Sequence, residues 1–366
     1  MRYFDEINLL RAFAILAVIS IHVSGAFTFM NPASFLTILY MAIDTASGFA
    51  VPLFVAVSGF VLYNKYPDGV DPAAFYRKRL VSVLPPYLVF STVYLVLDHL
   101  RFVDHDIPAI AYRYLTGGWN YSYWFVVVIV EFYLLYPVLL NIFRSCDTRN
   151  RIRELLLAAF VLGVAYNTCL EPAVIPIAGT AGPALGVASK FIGFLFYFFL
   201  GIAARSRYDA VVTAIGSGSR LCLLAVPLMI GILAGIVSAA YTNFGFATVP
   251  VLKIPASSWN WLINLVSPVN YLILFSLCLV VSLHLVRSSG LLSGLLGTIG
   301  HYSYGIYLIH LLFLMEIVKD LNRAGLGWNS WLFYPAVFCL TVLLSTLAAV
   351  LIHRLPGGSW IIGTTR

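Results

Sequence analysis

Long apolar runs separated by short polar breaks occupy most of this sequence, and they limit the folds that the chain can adopt. A helix needs about 20 mostly apolar residues to cross the hydrocarbon core of a bilayer. Only 10% of the 366 residues are charged, whereas a soluble globular chain usually carries roughly 25%. The sequence therefore predicts an all-α integral membrane protein with about ten transmembrane helices.

The apolar runs predict a single polytopic transmembrane domain that covers residues 1–366. No internal repeat and no low-complexity linker divides the sequence. The first run is longer than the ~7–15-residue apolar core of a signal peptide, so we expect it to be retained as a helix. The ten predicted spans are residues 7–30, 36–63, 81–103, 121–143, 154–170, 187–204, 221–241, 261–286, 296–318 and 331–353.

The distribution of Lys and Arg predicts that both termini lie in the cytoplasm. Cytoplasmic loops of membrane proteins are enriched in these residues. With the N-terminus inside, Arg11 lies within the first span, and only six of the other basic residues face outward: Arg101, Arg113, Lys190, Lys253, Lys319 and Arg323. This bias explains the net charge of +7 without a nucleic-acid partner. We expect a multi-pass protein of the cytoplasmic (cell) membrane.

The five cysteines are scattered, and none forms a CxxC pair. Cysteines scattered in this way usually act as small apolar side chains in helices. They do not indicate a metal site or a disulfide framework. We therefore expect no metal and no tightly bound cofactor.

Arg11 and His22 are ionisable residues within the first predicted span. Eleven residues at 100° each bring their side chains to one helix face, about 16 Å apart along the axis. An ionisable group inside the membrane costs roughly 2.5–3.5 kcal/mol, which makes both residues functional candidates. The spacing also allows a snorkelling arginine at the interface and a histidine that makes an interhelical hydrogen bond.

Glu131 lies in the fourth predicted span, about 14 Å from its outer end and at a depth similar to that of His22. A carboxylate can fix the tautomer and orientation of an imidazole, so Glu131 is a candidate partner of His22. Alternatively, Glu131 could form an ion pair that only stabilises the structure.

Ser303, Tyr307 and His310 are spaced four and three residues apart in the ninth predicted span, which places them on one helix face. These polar groups could line a wet cavity, or they could form hydrogen bonds between packed helices.

A basic segment, Arg77, Lys78 and Arg79, precedes Pro85, Pro86 and Tyr87 in the predicted second loop. Positive charge on the cytoplasmic side could serve topology alone. It could also form a cationic site for a cytosolic ligand that carries phosphates.

Five motifs, in order along nearly the whole chain, resemble those of the acyltransferase-3 family of integral membrane O-acyltransferases. Each motif alone is weak in an apolar sequence, but the ordered set is fairly specific. The motifs are residues 11–22 (RAFAILAVISIH), 51–60 (VPLFVAVSGF), 77–80 with 85–87 (RKRL and PPY), 123–138 (with YWF, EFY and YPV) and 303–310 (SYGIYLIH).

The resemblance implies transfer of an acyl group, usually acetyl, from cytosolic acyl-CoA as co-substrate to a hydroxyl of a glycan or other cell-envelope acceptor. It implies that His22 is the general base, that Glu131 orients it, and that the long pantetheine arm reaches it through a polar passage. Acyl-CoA would bind at Arg11, Arg77, Lys78 and Arg79. The residues expected to line the cavity or the substrate are Ser58, Tyr123, Trp124, Tyr133, Tyr136, Ser303, Tyr307 and His310.

The sequence departs from the family pattern at two positions. Ser82 stands where a second arginine often follows the basic segment, and Asn8 stands where an acidic residue is common. The sequence ends soon after the tenth predicted span, so the resemblance is to the membrane-only form of the family, without a fused esterase-like domain.

Two other functions fit a chain of this composition. An exporter or flippase of an envelope glycan or lipid-linked sugar would also have many aromatic-rich spans with buried polar groups, although transporters commonly show repeated halves. A sensor or assembly subunit without catalytic activity is the third possibility. The basic segment and the Arg11–His22 face favour the acyltransferase.

Overall fold

The computed structural model describes residues 3–25, 35–100, 106–146, 148–173, 182–215, 227–228, 230–231, 256–288 and 290–364. All regular secondary structure in these ranges is helical. The prediction of an all-α integral membrane protein is confirmed.

Fifteen α-helices are assigned in the described ranges. They are α1 (Asp5–Gly25), α2 (Phe35–Ser47), α3 (Ala50–Lys65), α4 (Pro72–Leu100), α5 (Ile107–Thr116), α6 (Trp124–Arg144), α7 (Arg149–Ala165), α8 (Gly182–Ser189), α9 (Phe191–Ser206), α10 (Tyr208–Ile215), α11 (Ala256–Ser288), α12 (Leu291–His301), α13 (Ser303–Arg323), α14 (Phe333–Arg354) and α15 (Gly358–Ile362). A π-helical turn, Tyr166–Leu170, continues α7.

Eight segments of the described chain are long and apolar enough to cross a membrane. They correspond to eight of the ten predicted spans. The predicted span 221–241 lies largely outside the described residues, and the predicted span 296–318 is divided between α12 and α13. The count of ten and the cytoplasmic location of both termini stay predictions.

The predicted second loop is helical instead. α4 begins at Pro72, so Arg77–Arg79 occupy its early turns and Pro85 and Pro86 lie inside it. Asp71 accepts a hydrogen bond from the backbone N–H of Ala73 at 3.3 Å, and proline suits the first helical position because its missing N–H has no helical partner there. The basic residues are therefore held by a regular helix.

The chain divides into two compact units. The first, called the Arg79 unit, comprises residues 55–206 and 350–364 of the described chain, and the second, called the His22 unit, comprises residues 3–54 and 207–349. Two of the boundaries between the units fall inside helices, in α3 and α14, and a third falls between α9 and α10. The single-domain assignment stays a prediction.

In the His22 unit, α1 is the central helix and contacts α2, α11, α12 and α13. Asn8 donates a hydrogen bond from its side-chain amide to the carbonyl oxygen of Gly297 at 2.8 Å. A carboxylate cannot donate this bond, so the asparagine suits this contact with α12. Gly300 lies against the backbone of Asn8, where a Cβ atom would collide with the Asn8 carbonyl oxygen. The two helices approach closely because residue 300 has no side chain.

In the Arg79 unit, two glycines allow α3 and α9 to pack backbone against backbone. A Cβ atom at Gly59 would collide with the carbonyl oxygen of Phe198, and a Cβ atom at Gly201 would collide with that of Ala56. Gly59 belongs to the VPLFVAVSGF motif, so this motif has a packing role in the structure. Next to this contact, the rings of Phe132 and Phe198 stack at 4.5 Å.

Substitution of Gly300 by alanine tests the close approach of α1 and α12. We expect Gly300→Ala to destabilise the detergent-solubilised protein by about 1–3 kcal/mol, because the added methyl group forces the helices apart. Gly297→Ala is the matched control, since no atom lies within 4 Å of its Cβ position. Thermal unfolding followed by circular dichroism measures both, and equal effects of the two substitutions would contradict the packing described here.

Candidate active site

His22 and His310 form a stacked pair of imidazoles within the His22 unit. Their ring centroids are 5.1 Å apart, and the ring planes differ by 27°. Asn8 and His22 are fourteen residues apart, so at 100° per residue their side chains point within about 40° of each other. The face of α1 that contacts α12 through Asn8 therefore continues to α13, where His22 meets His310.

The opposite face of α1 is held by α14. The side-chain hydroxyl of Ser20 lies 2.7 Å from the hydroxyl of Tyr334, and Ser24 donates a hydrogen bond to the same Tyr334 oxygen at 3.3 Å. Contacts on both sides thus fix the rotation of α1 about its axis, and with it the direction of His22.

The imidazole of His310 is completely buried, and its orientation is set by the helix that carries it. Nδ1 lies 2.7 Å from the carbonyl oxygen of Tyr307 and 3.2 Å from that of Ile306. Carbonyl oxygens only accept, so Nδ1 carries the ring hydrogen, and in the neutral ring Nε2 presents a lone pair. Within the described part of the chain, Nε2 has no hydrogen-bond partner.

The other polar residues predicted for this face are also buried. Ser303 begins α13, and Ser303 and Tyr307 are only 6% and 4% exposed. The Tyr307 ring lies 5.9 Å from that of His310. Arg11 is half-buried on the face of α1 that carries His22. The spacing of these residues indicated their shared faces, but it did not pair His22 with His310.

In the Arg79 unit, the guanidinium of Arg79 is surrounded by aromatic rings. Its Cζ atom lies 5.5 Å from the ring centre of Tyr66, 5.9 Å from that of Phe75 and 5.8 Å from that of Tyr133. We call these four residues the Arg79 box. Tyr136 supports it from behind, since its hydroxyl donates to the carbonyl oxygen of Tyr66 at 3.1 Å and its ring stacks on Phe75.

Two nitrogens of the Arg79 guanidinium have no hydrogen-bond acceptor among the described residues. They are Nε and Nη2, and both are buried. Lys65 and Lys78 are near enough to interact electrostatically with each other and, in the case of Lys65, with Arg79. None of these three cations forms an ion pair with a described carboxylate. Such an arrangement can bind an anion.

Two aromatic residues of the Arg79 box, Tyr66 and Phe75, were missed at the sequence level. Phe75 lies four residues before Arg79 and hence on the same face of α4, so its spacing was a usable signal. Tyr66 follows α3 and offered no such signal. Arg77 and Lys78 are exposed on α4, and Ser58 is half-buried on α3 next to Gly59.

Glu131 lies on α6 in the Arg79 unit, whereas His22 belongs to the other unit. Its Oε2 atom is buried and has no hydrogen-bond partner in the described ranges. The carboxylate interacts electrostatically with Tyr166 at the start of the π-helical turn. The predicted orientation of His22 by Glu131 stays a prediction.

The remaining predicted residues make aromatic contacts. Tyr123 is fully buried, with the rings of Tyr87 and Tyr94 each 5.7 Å away. Trp124 stacks on Phe194 at 6.0 Å, and the ammonium of Lys190 lies 4.7 Å from its ring centre. These contacts are those of helix packing, and the predicted role of Tyr123 and Trp124 in lining a substrate cavity stays untested.

The fold and these sites define a multi-pass helical membrane protein with a stacked imidazole pair and a cationic site. A model of the acyltransferase-3 family, described as an acyltransferase domain, matches residues 4–350. The chain therefore belongs to this family of membrane acyltransferases.

A protein of Bacillus subtilis (strain 168), the proposed membrane-bound acyltransferase YfiQ, is similar to this chain. The two are 28% identical over 212 residues, a region that spans 56% of each. The chain thus matches little more than half the length of this relative. No solved structure matches the chain.

Proposed function

We propose that this protein transfers an acyl group, most simply acetyl, from cytosolic acyl-CoA to a hydroxyl of a glycan or other cell-envelope acceptor in the cytoplasmic membrane. Membership of an acyltransferase family supports acyl transfer over glycan export. The observation that carries the choice of donor is the Arg79 guanidinium, which has two buried nitrogens without a described partner beside two lysines.

The chemistry of acyl-CoA fits the Arg79 box. A buried donor left without an acceptor costs about 1–3 kcal/mol, and more for a charged group. A phosphate group supplies oxygens that a guanidinium binds with paired, charge-assisted hydrogen bonds. Arg77 and Lys78 lie on the same helix, and we include them and Arg11 in the donor site.

In the proposed reaction, His22 acts as general base. Its imidazole takes the proton of the acceptor hydroxyl while the hydroxyl oxygen attacks the thioester carbonyl carbon. The new C–O bond forms, the C–S bond breaks, and the departing CoA thiolate takes the proton from the imidazolium. The products are the O-acyl ester and CoA, and His22 returns to its starting state.

Two further roles belong to the same proposal. Ser303 and Tyr307 carry hydroxyls that would donate hydrogen bonds to the oxyanion of the tetrahedral intermediate, and both are buried on the helix of His310. Glu131 would orient His22. Neither role is needed for the base function of His22 itself.

Substitution of His22 tests the base. We expect His22→Ala to lower acetyl release from radiolabelled acetyl-CoA, to envelope material or to water, by about 10²–10⁴-fold, which is the usual contribution of a general base. His284→Ala is the matched control, because His284 is an exposed histidine on another membrane helix. Undiminished release by folded His22→Ala protein would overturn the mechanism.

Substitution of Arg79 tests the donor site. We expect Arg79→Met to raise the KM for acetyl-CoA at least about tenfold, since charge-assisted hydrogen bonds contribute roughly 1.5–3 kcal/mol each. The same variant should not lower the thermal stability of the ligand-free protein, because the substitution removes two buried donors without acceptors.

The control for Arg79→Met is Arg153→Met, which removes an exposed arginine from α7. An unchanged KM for acetyl-CoA in Arg79→Met, or an equal rise in both variants, would rule out the Arg79 box as the donor site. A large loss of stability in Arg79→Met alone would instead assign this arginine to packing against its three rings.

A further inference from the structure

We propose that Nε2 of His310 binds a second hydroxyl group of the acceptor, on a carbon next to the one that is acylated, so that the protein selects acceptors with neighbouring hydroxyls. This inference rests on the proposed function, because it takes His22 as the base for the reacting hydroxyl. His310 then determines which alcohols are used, and it is a substrate-binding residue.

Nε2 of His310 is a buried nitrogen without a hydrogen-bond donor among the described residues. Nδ1 of His310 donates its hydrogen to the carbonyl oxygens of Ile306 and Tyr307. In the neutral ring, Nε2 can therefore only accept a hydrogen bond. The residue is 0% exposed, and no described group donates to Nε2. Buried polar atoms of proteins nearly always have a hydrogen-bond partner, and one left without a partner costs about 1–3 kcal/mol. An O–H or N–H of a bound molecule would remove this cost.

The substrate group that donates to Nε2 differs from the hydroxyl that reacts at His22. The His310 ring stacks on that of His22 with 5.1 Å between the centroids, so an acceptor molecule that reaches His22 also comes close to His310. A hydroxyl has only one hydrogen. If the reacting hydroxyl gives this hydrogen to His22, His310 needs a second donor. A hydroxyl on the neighbouring carbon of the acceptor supplies it.

Acyl-CoA itself contains hydrogen-bond donors that compete with the acceptor alcohol for Nε2. The pantetheine arm of acyl-CoA carries amide N–H groups, which could also donate to Nε2. The two sources differ in what a loss of Nε2 would change. If Nε2 binds the acceptor alcohol, loss of this contact changes the preference among alcohols. If Nε2 binds an amide of acyl-CoA, loss of the contact raises the KM for acyl-CoA and leaves that preference unchanged.

The experiment uses two small alcohols with the same number of carbons, propane-1,2-diol and propan-1-ol, with radiolabelled acetyl-CoA and the purified full-length protein. We expect the wild type to acetylate the diol at least about tenfold faster per mole, which corresponds to the contribution of one hydrogen bond from a buried site. His310→Phe keeps an aromatic ring against His22 but lacks Nε2, and we expect it to treat the two alcohols equally.

His310→Gln is the second variant, because its side-chain oxygen keeps a hydrogen-bond acceptor at this position. We expect it to retain part of the preference for the diol. The ratio of the two rates, instead of the total activity, is the readout, since partial misfolding lowers both rates together. The His284→Ala protein serves again as the control and should keep the wild-type ratio.

Three results would overturn this inference: equal rates for both alcohols in the wild type, an undiminished preference in His310→Phe, or a raised KM for acetyl-CoA with the preference intact. Absence of transfer to either alcohol also counts against the inference, because a small diol at high concentration should reach both His22 and His310. Hydrolysis of acetyl-CoA is measured in the same reactions. If it depends on His22, the proposed function stands even where the diol preference fails.

Discussion

The contact between α1 and the consecutive helices α12 and α13 is the interaction on which the candidate active site depends. Gly300 lets the backbones meet, and the amide of Asn8 fixes the register by its hydrogen bond to Gly297. Fourteen residues further along the same face of α1, that register brings His22 against His310. A one-residue rotation of α1 would turn His22 by about 100° and separate the rings.

Both sites contain polar atoms whose burial lowers stability unless a ligand completes their hydrogen bonds. The Nε2 atom of His310 and two nitrogens of Arg79 are buried without a described partner. Each such atom costs about 1–3 kcal/mol, a sizeable share of the roughly 5–15 kcal/mol that typically stabilises a folded domain. Proteins accept such a cost at functional sites, where substrate binding offsets it. The cost of these unpartnered atoms therefore points to a ligand both at the cationic site and at the imidazole pair.

The sequence predicted those parts of the structure that depend on local spacing. Apolar runs of membrane-spanning length predicted the helices, and the 100° rotation per residue predicted that Ser303, Tyr307 and His310 share a face. Partners from distant parts of the chain could not be predicted in this way. The pairing of Glu131 with His22 stays a prediction, because their matched depths do not determine which faces of two helices meet. The ring of Tyr66 near Arg79 depends on how α3 and α4 pack, which no single-helix pattern contains.

The most direct test of the account is the structure of this protein with a non-hydrolysable acyl-CoA analogue, determined in lipid nanodiscs. The quantity to measure is the distance from the acyl carbonyl carbon of the analogue to the nearest ring nitrogen of His22. If His22 is the base, this distance is roughly 4–6 Å, which leaves room for one hydroxyl oxygen within hydrogen-bonding distance of the imidazole. A bound analogue whose carbonyl lies elsewhere, with packed side chains enclosing the His22 imidazole on every side, would contradict this role.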